Sequence, residues 1–220
     1  MNTIETKRRS RFFSGVAALT LANLFVKVVG LVLKIPLRHL LTDAGMVYYN
    51  NAYDIYAWLF TVATTGLPVA VSLMVSEDRA KGNVRETRKI FRVTMLLFIV
   101  VGIAGMSVML FGAPLFEKAY KIENSAYCMM AVAPTLFFIC VASGLRGYFQ
   151  GYQRMTPTAV SEVIEAIGKL AIGLLLAHFA IRQGYPLHIV AAYAALGLTI
   201  GVAGGMVFLL ISKLLLLADP

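Results

Sequence analysis

Charge is scarce in this sequence, and acid scarcest of all: 14% of the 220 residues are charged, with 11 Asp or Glu against 20 Lys or Arg. An ordinary soluble domain carries about 25% charged residues, so a mean hydropathy of +0.77 and so few charges exclude that class. Cysteine and histidine are nearly absent as well. Cys128 and Cys140 lie in one apolar segment without metal-ligand spacing to any histidine, which leaves helix packing as their role and implies neither disulfide nor zinc. His39, His178 and His188 each fall near the end of an apolar run, where an interfacial place is the simpler reading and a ligand or proton-relay role the alternative. No cofactor or metal is implied. What is abundant is apolar, 59% of the chain, and the chain reads as an all-α, polytopic membrane protein. The net charge of +9 would suggest nucleic acid in a soluble protein. Here the basic residues sit between apolar runs, where they set topology, and no nucleic-acid partner is expected.

Apolar runs near the roughly 20 residues that span a bilayer give six spans, at about 12–37, 52–75, 93–112, 125–145, 158–180 and 188–210. They divide the chain into a basic N-terminus (1–11), a six-helix transmembrane lobe (12–212) and a short end (213–220) that reads as cut off. Lys7, Arg8, Arg9 and Arg11 precede the first span. A basic segment before an apolar run also describes a signal peptide, but no small-x-small cleavage pattern follows, so the helix is expected to be retained. Thirteen Lys or Arg then fall on the side of the N-terminus, including Arg146, Arg154 and Lys213, against three (Lys118, Lys121, Arg182) on the other. By the positive-inside rule both ends are cytoplasmic.

Punctuation comes from proline and glycine. Pro36 is expected to kink or end the first span, Gly66-Leu67-Pro68 to break the second, and Pro134 to kink the fourth. Residues 42–51 read as a polar turn, 76–92 as a cytoplasmic surface helix, 113–123 as an external loop and 146–165 as a cytoplasmic loop. Tyr48, Tyr49, Tyr53 and Tyr56 fit an aromatic belt at the outer interface. Gly197, Gly201 and Gly205 recur every four residues, a small-residue face for close helix packing.

The chemistry concentrates on the first span. Lys27, Lys34 and Arg38 lie within about 40° of one another at a helical advance of about 100° per residue, forming one positive stripe. A cation near the bilayer centre costs roughly 2.5–3.5 kcal/mol and is tolerated where it faces a water-filled cavity or an anion. Lys34 and Arg38 are near enough to the helix end to snorkel to the interface instead; Lys27 lies well inside the span. Asp54 is the nearest acidic candidate partner for Lys34 or Arg38. On the fifth span Glu162, Glu165 and Lys169 fall within about 60° of one another. They read as a cavity or ion-coupling group, or as a locally paired set in which Glu165 and Lys169 stand four apart with the acid first.

Two stretches resemble a known family. KVVGLVLKIPLRHLLTDAGMVYYNNAYDIY followed by TTGLPVAVSLMVSE, together with RGYFQGYQRMTPTAVSEVIE, is similar to the SpoVB branch of the polysaccharide flippases, in the superfamily of the MurJ-type lipid II flippases and the MATE exporters. The resemblance runs from about residue 13 to 210. It implies one six-helix lobe of a transporter in which two lobes enclose a cavity and alternate between inward-open and outward-open states in the bacterial cytoplasmic membrane. It also implies a lipid-linked substrate, an undecaprenyl-pyrophosphate sugar or peptidoglycan precursor, and membrane lipid around it. In MurJ-like members basic residues of the first helix line the cavity, and Lys27, three residues before Gly30, matches such a position. Lys34 departs from that pattern, which has an acid there and an arginine just before it, where this chain has Leu33. Members have about twice this length, so a second six-helix lobe is expected, from the same longer chain or from a partner.

Three other readings stay beside this one. A MATE-type cation-coupled exporter would want an acidic or aromatic cavity, against the cationic stripe. An enzyme of polyprenyl phosphates would need clustered carboxylates or a histidine with a nucleophile, and Glu162 with Glu165 is the one such pair. A non-transporting assembly protein has no evident use for charge buried in the first and fifth helices.

Overall fold

The computed structural model describes the backbone of residues 3–64, 66–81 and 84–218, and side chains within 15–215 apart from 63, 65, 79, 80 and 82–85. The basic cluster Lys7, Arg8, Arg9 and Arg11 lies outside the described side chains. Six helices make up the described residues: α1 (Thr3–Thr64), α2 (Leu67–Ala80), α3 (Val84–Tyr120), α4 (Ala126–Gly151), α5 (Thr156–Arg182) and α6 (Leu187–Ala218). Among the described residues, five helical stretches are long and apolar enough to cross a membrane, the first counted continuously over Gly15–Asp78. A count of six follows only when that first stretch is divided.

The division falls at Thr42, whose backbone alone within α1 leaves helical geometry (φ 58, ψ 177). A helix of 62 residues rises about 1.5 Å per residue, far more than the roughly 30 Å of hydrocarbon, so it must fold to stay within one bilayer. Lys169 of α5 shows that it does. It shares a cleft with Gly30 and Leu33 of the first arm and sits over the ring of Tyr53 on the second. Positions nearly equidistant from Thr42 thus meet one side chain, as in a helical hairpin.

Pro36, expected to kink or end the first span, does not end it. Backbone on both sides of Pro36 stays helical, since a proline removes one hydrogen bond without forbidding a spanning helix. The break comes at Thr42, whose hydroxyl donates to the Leu41 carbonyl at 2.6 Å and so competes with the helical ladder. Residues 43–51, expected as a turn, are helical. The break at Gly66-Leu67-Pro68 is where it was expected: α1 ends at Thr64, Gly66 takes φ +80, and α2 begins at Leu67 with Pro68 in its first turn, where a missing N–H costs nothing. Pro114 and Pro134 lie inside α3 and α4. Two expected loops shorten: α3 continues to Tyr120, and only 152–155 separate α4 from α5. The surface helix expected over 76–92 divides between α2 and α3.

α4 is the centre of the lobe. Its buried residues run from Cys128 to Gly151, and the cores it shares with α1, α2, α3 and α6 gather around it. Cys128 and Cys140 are both free and buried there. Close approach depends on glycine: a Cβ on Gly147 would lie 2.7 Å from the Pro68 carbonyl of α2. The glycine face of α6 is turned to α5, where a Cβ on Gly201 or Gly205 would reach the carbonyls of Glu165 and Ser161 at 2.7 and 2.9 Å. Between α4 and α6 the buried Thr199 hydroxyl donates to the Ala131 carbonyl at 2.7 Å and accepts from Thr135 at 2.7 Å, satisfying groups that would be costly to leave bare in hydrocarbon.

Candidate functional site: a cationic helix face beside a buried charge cluster

Backbone geometry is helical from residue 27 to 38, so the three cations of the first arm keep their common side, and Lys27, Lys34 and Arg38 are all exposed on it. Arg38 finds a carboxylate, but not the expected one. Its Nε donates to Asp43 Oδ1 at 2.8 Å, across the break at Thr42. Asp54 is exposed on the second arm and pairs with neither Lys34 nor Arg38. Asp43, the first residue past the break, is brought beside Arg38 there. Lys34, Ile35, Arg38, His39, Thr42 and Asp43 line an open cleft of about 480 Å³ at this bend. Lys27 and Lys34 have no carboxylate within ion-pair distance among the described residues.

Behind this face lies a second set of charges. Glu165 is not paired with Lys169, one turn away. Its Oε2 accepts from Arg146 of α4 at 2.9 Å, with the two side chains only 22% and 14% exposed. Arg146 Nε also donates to Ser161 Oγ at 3.2 Å, and Ser161 passes its own proton to the Thr158 carbonyl at 2.7 Å. Arg146, which the sequence placed in a cytoplasmic loop, is thus the internal counter-ion of α5. The signal that could have found it is the need of any intramembrane carboxylate for a cation. Glu162 lies at the edge of this cluster. Its Oε2 is buried without a hydrogen-bond partner among the described residues.

Lys169 stands between the two sets. Its ammonium lies 5.0 Å from the centre of the Tyr53 ring. It closes a small cleft of about 40 Å³ with Val26, Val29, Gly30 and Leu33 of α1 and Glu165 and Ala166 of its own helix. The tyrosines expected as an interfacial belt form a ladder along the second arm, Tyr49 to Tyr53 to Tyr56 to Phe60, with ring centres 5.8–6.3 Å apart. Tyr49 and Tyr56 are buried in the lobe. Lys213, expected at a cytoplasmic end, lies inside α6 with its ammonium 3.0 Å from the centre of the Phe91 ring.

Comparison with known proteins shows the family of the chain. The family model described as polysaccharide biosynthesis protein matches residues 12–214. Among curated relatives, the lipid II flippase MurJ of Bacillus subtilis is 32% identical over 213 residues, which cover 92% of this chain and 39% of the relative. Stage V sporulation protein B of the same organism is 28% identical over 204 residues, again 92% and 39%. The chain thus spans well under half the length of these relatives. No solved structure matches.

Proposed function

The chain belongs to the polysaccharide biosynthesis protein family, and from that premise we propose that it forms one lobe of a flippase for a lipid-linked precursor bearing a pyrophosphate, an oligosaccharide or a peptidoglycan unit. The observation that carries the reading is the stripe of Lys27, Lys34 and Arg38 exposed along one helical face of a multi-pass membrane protein. Lys27 and Lys34 have no carboxylate within ion-pair distance among the described residues, and Glu165 is engaged by Arg146. A pyrophosphate entering a region of low dielectric needs positive charge, and lysine supplies it as a point charge on a flexible stem. Binding would in turn offset the cost of keeping those cations among apolar side chains.

The exposed stripe also suggests what faces it. A cavity has two walls, and this lobe supplies one; the second lobe comes from the rest of a longer protein or from a second chain. Movement of the head group then follows from rocking of the lobes about the bound anion while the lipid tail stays in the bilayer. We place both ends of the segment in the cytoplasm on the charge asymmetry of its loops. The test is complementation of a flippase-depleted strain. Lys27→Ala is expected to abolish rescue while membrane insertion and protein level stay normal. Wild-type rescue by that variant would refute the pyrophosphate role.

A further inference from the structure

We propose that Lys169 is a phosphate-binding residue of the same cavity, reaching the head group of an anionic lipid from α5 while Lys34 reaches it from α1. The inference rests on the flippase reading above and adds a second helix to the anion site.

Four observations support it. First, Lys169 lies near the middle of α5, where an ammonium in a spanning helix requires an anion or water, yet no carboxylate lies within ion-pair distance of it among the described residues. The candidate within reach, Glu165, is engaged by Arg146, and that guanidinium is further fixed by Ser161. Second, the ammonium rests over Tyr53. A cation over an aromatic face is held more weakly than one in charge-assisted hydrogen bonds to phosphate, so the ring is a place from which an incoming phosphate draws the lysine. Third, Leu33, the residue before Lys34, lines the cleft that Lys169 closes. Two cations from different helices repel, and an anion carrying two negative charges between them removes the repulsion. Fourth, there is room. The cleft of about 40 Å³ holds roughly one water at about 30 Å³ each, so the phosphate belongs at its mouth. At Gly30, one of the residues that line the cleft, an added Cβ would meet nothing within 4 Å.

Isothermal titration of the purified protein in detergent with inorganic pyrophosphate tests the site directly. Lys169→Gln and Lys34→Gln are each expected to weaken binding about tenfold or more, as for loss of one hydrogen bond to a charged group. The double variant should lose less than the product of the two, because both contact one ligand. Lys118→Gln, which removes a charge at the far end of α3, should leave the affinity unchanged. Lys169→Gln binding like wild type, or losing no more than Lys118→Gln, would overturn the proposal. Should Lys169→Gln lose its fold, as judged by gel filtration, Lys169→Arg takes its place. It keeps the charge and must keep the affinity, and a loss as large as that of Lys34→Gln overturns the role. Farnesyl pyrophosphate should compete at lower concentration than inorganic pyrophosphate if the phosphate arrives on a lipid; equal competition refutes that part. The two readings fail separately. Pyrophosphate binding through Lys169 without transport of a lipid-linked precursor sinks the flippase reading alone, whereas full rescue of the depleted strain by Lys169→Gln sinks this one.

Discussion

α4 and the first arm of α1 each carry an arginine–carboxylate pair of nearly the same length, 2.9 Å for Arg146 with Glu165 and 2.8 Å for Arg38 with Asp43. Their surroundings are opposite. The first pair is 14% and 22% exposed, the second 70% and 80%. The helices differ in the same sense despite equal apolarity. The most apolar window of α4 has a mean hydropathy of 2.0 and is 72% buried within the lobe, while that of the Gly15–Asp78 stretch has 2.2 and is 17% buried. Hydropathy therefore separates membrane from water but does not separate a helix packed on protein from one presented outward. Small residues make that distinction. α4 sets Gly144, Gly147 and Gly151 against α3 and α2, whereas α1 turns Leu21, Leu24, Leu31 and Ile35 outward beside its cations.

The largest effect expected from this contrast is at the buried pair. Arg146→Ala leaves Glu165 without its counter-ion and should cost about 3–5 kcal/mol, read as a large fall in thermal stability and in yield of folded protein. The double variant Arg146→Met with Glu165→Leu should recover most of that loss, because no charge is then left unpaired. If the single and double variants melt alike, the pair is not an electrostatic unit.

A smaller effect is expected from glycine. Gly147→Leu drives a side chain into the Pro68 carbonyl, which is backbone and cannot rotate away, at a cost of roughly 1–3 kcal/mol. Gly30→Leu on α1 meets open space and should leave stability almost unchanged. Thermal melts of the two variants side by side measure this; equal losses would mean that α1 is as tightly packed as α4. Least is expected from the exposed pair. Arg38→Ala should change stability by no more than about 1 kcal/mol, as surface ion pairs do, and any change should shrink as salt is added.

Much of this architecture was legible because it is local. The break at Gly66 follows from a residue free to take positive φ next to a proline, and the packing face of α6 follows from a spacing of four. The stripe of Lys27, Lys34 and Arg38 needed only the helical angle. Other features were hidden for one shared reason. The turn expected over 42–51 narrows to Thr42 with helix on either side, a shortness that no local pattern marks. Lys169 looked like the partner of Glu165 because the two are four apart, yet Arg146, from another helix, took the carboxylate.

The sequence by itself determined that this is a multi-pass helical membrane protein with a cationic face on its first helix, because apolar length and angular spacing are properties of single segments. Tertiary structure alone decided which cation neutralises which acid. In a medium without water each charge is satisfied by whatever side chain the fold brings within about 3 Å. For Glu165 that side chain stands on α4, and Lys169, one turn along α5, rests over the Tyr53 ring instead.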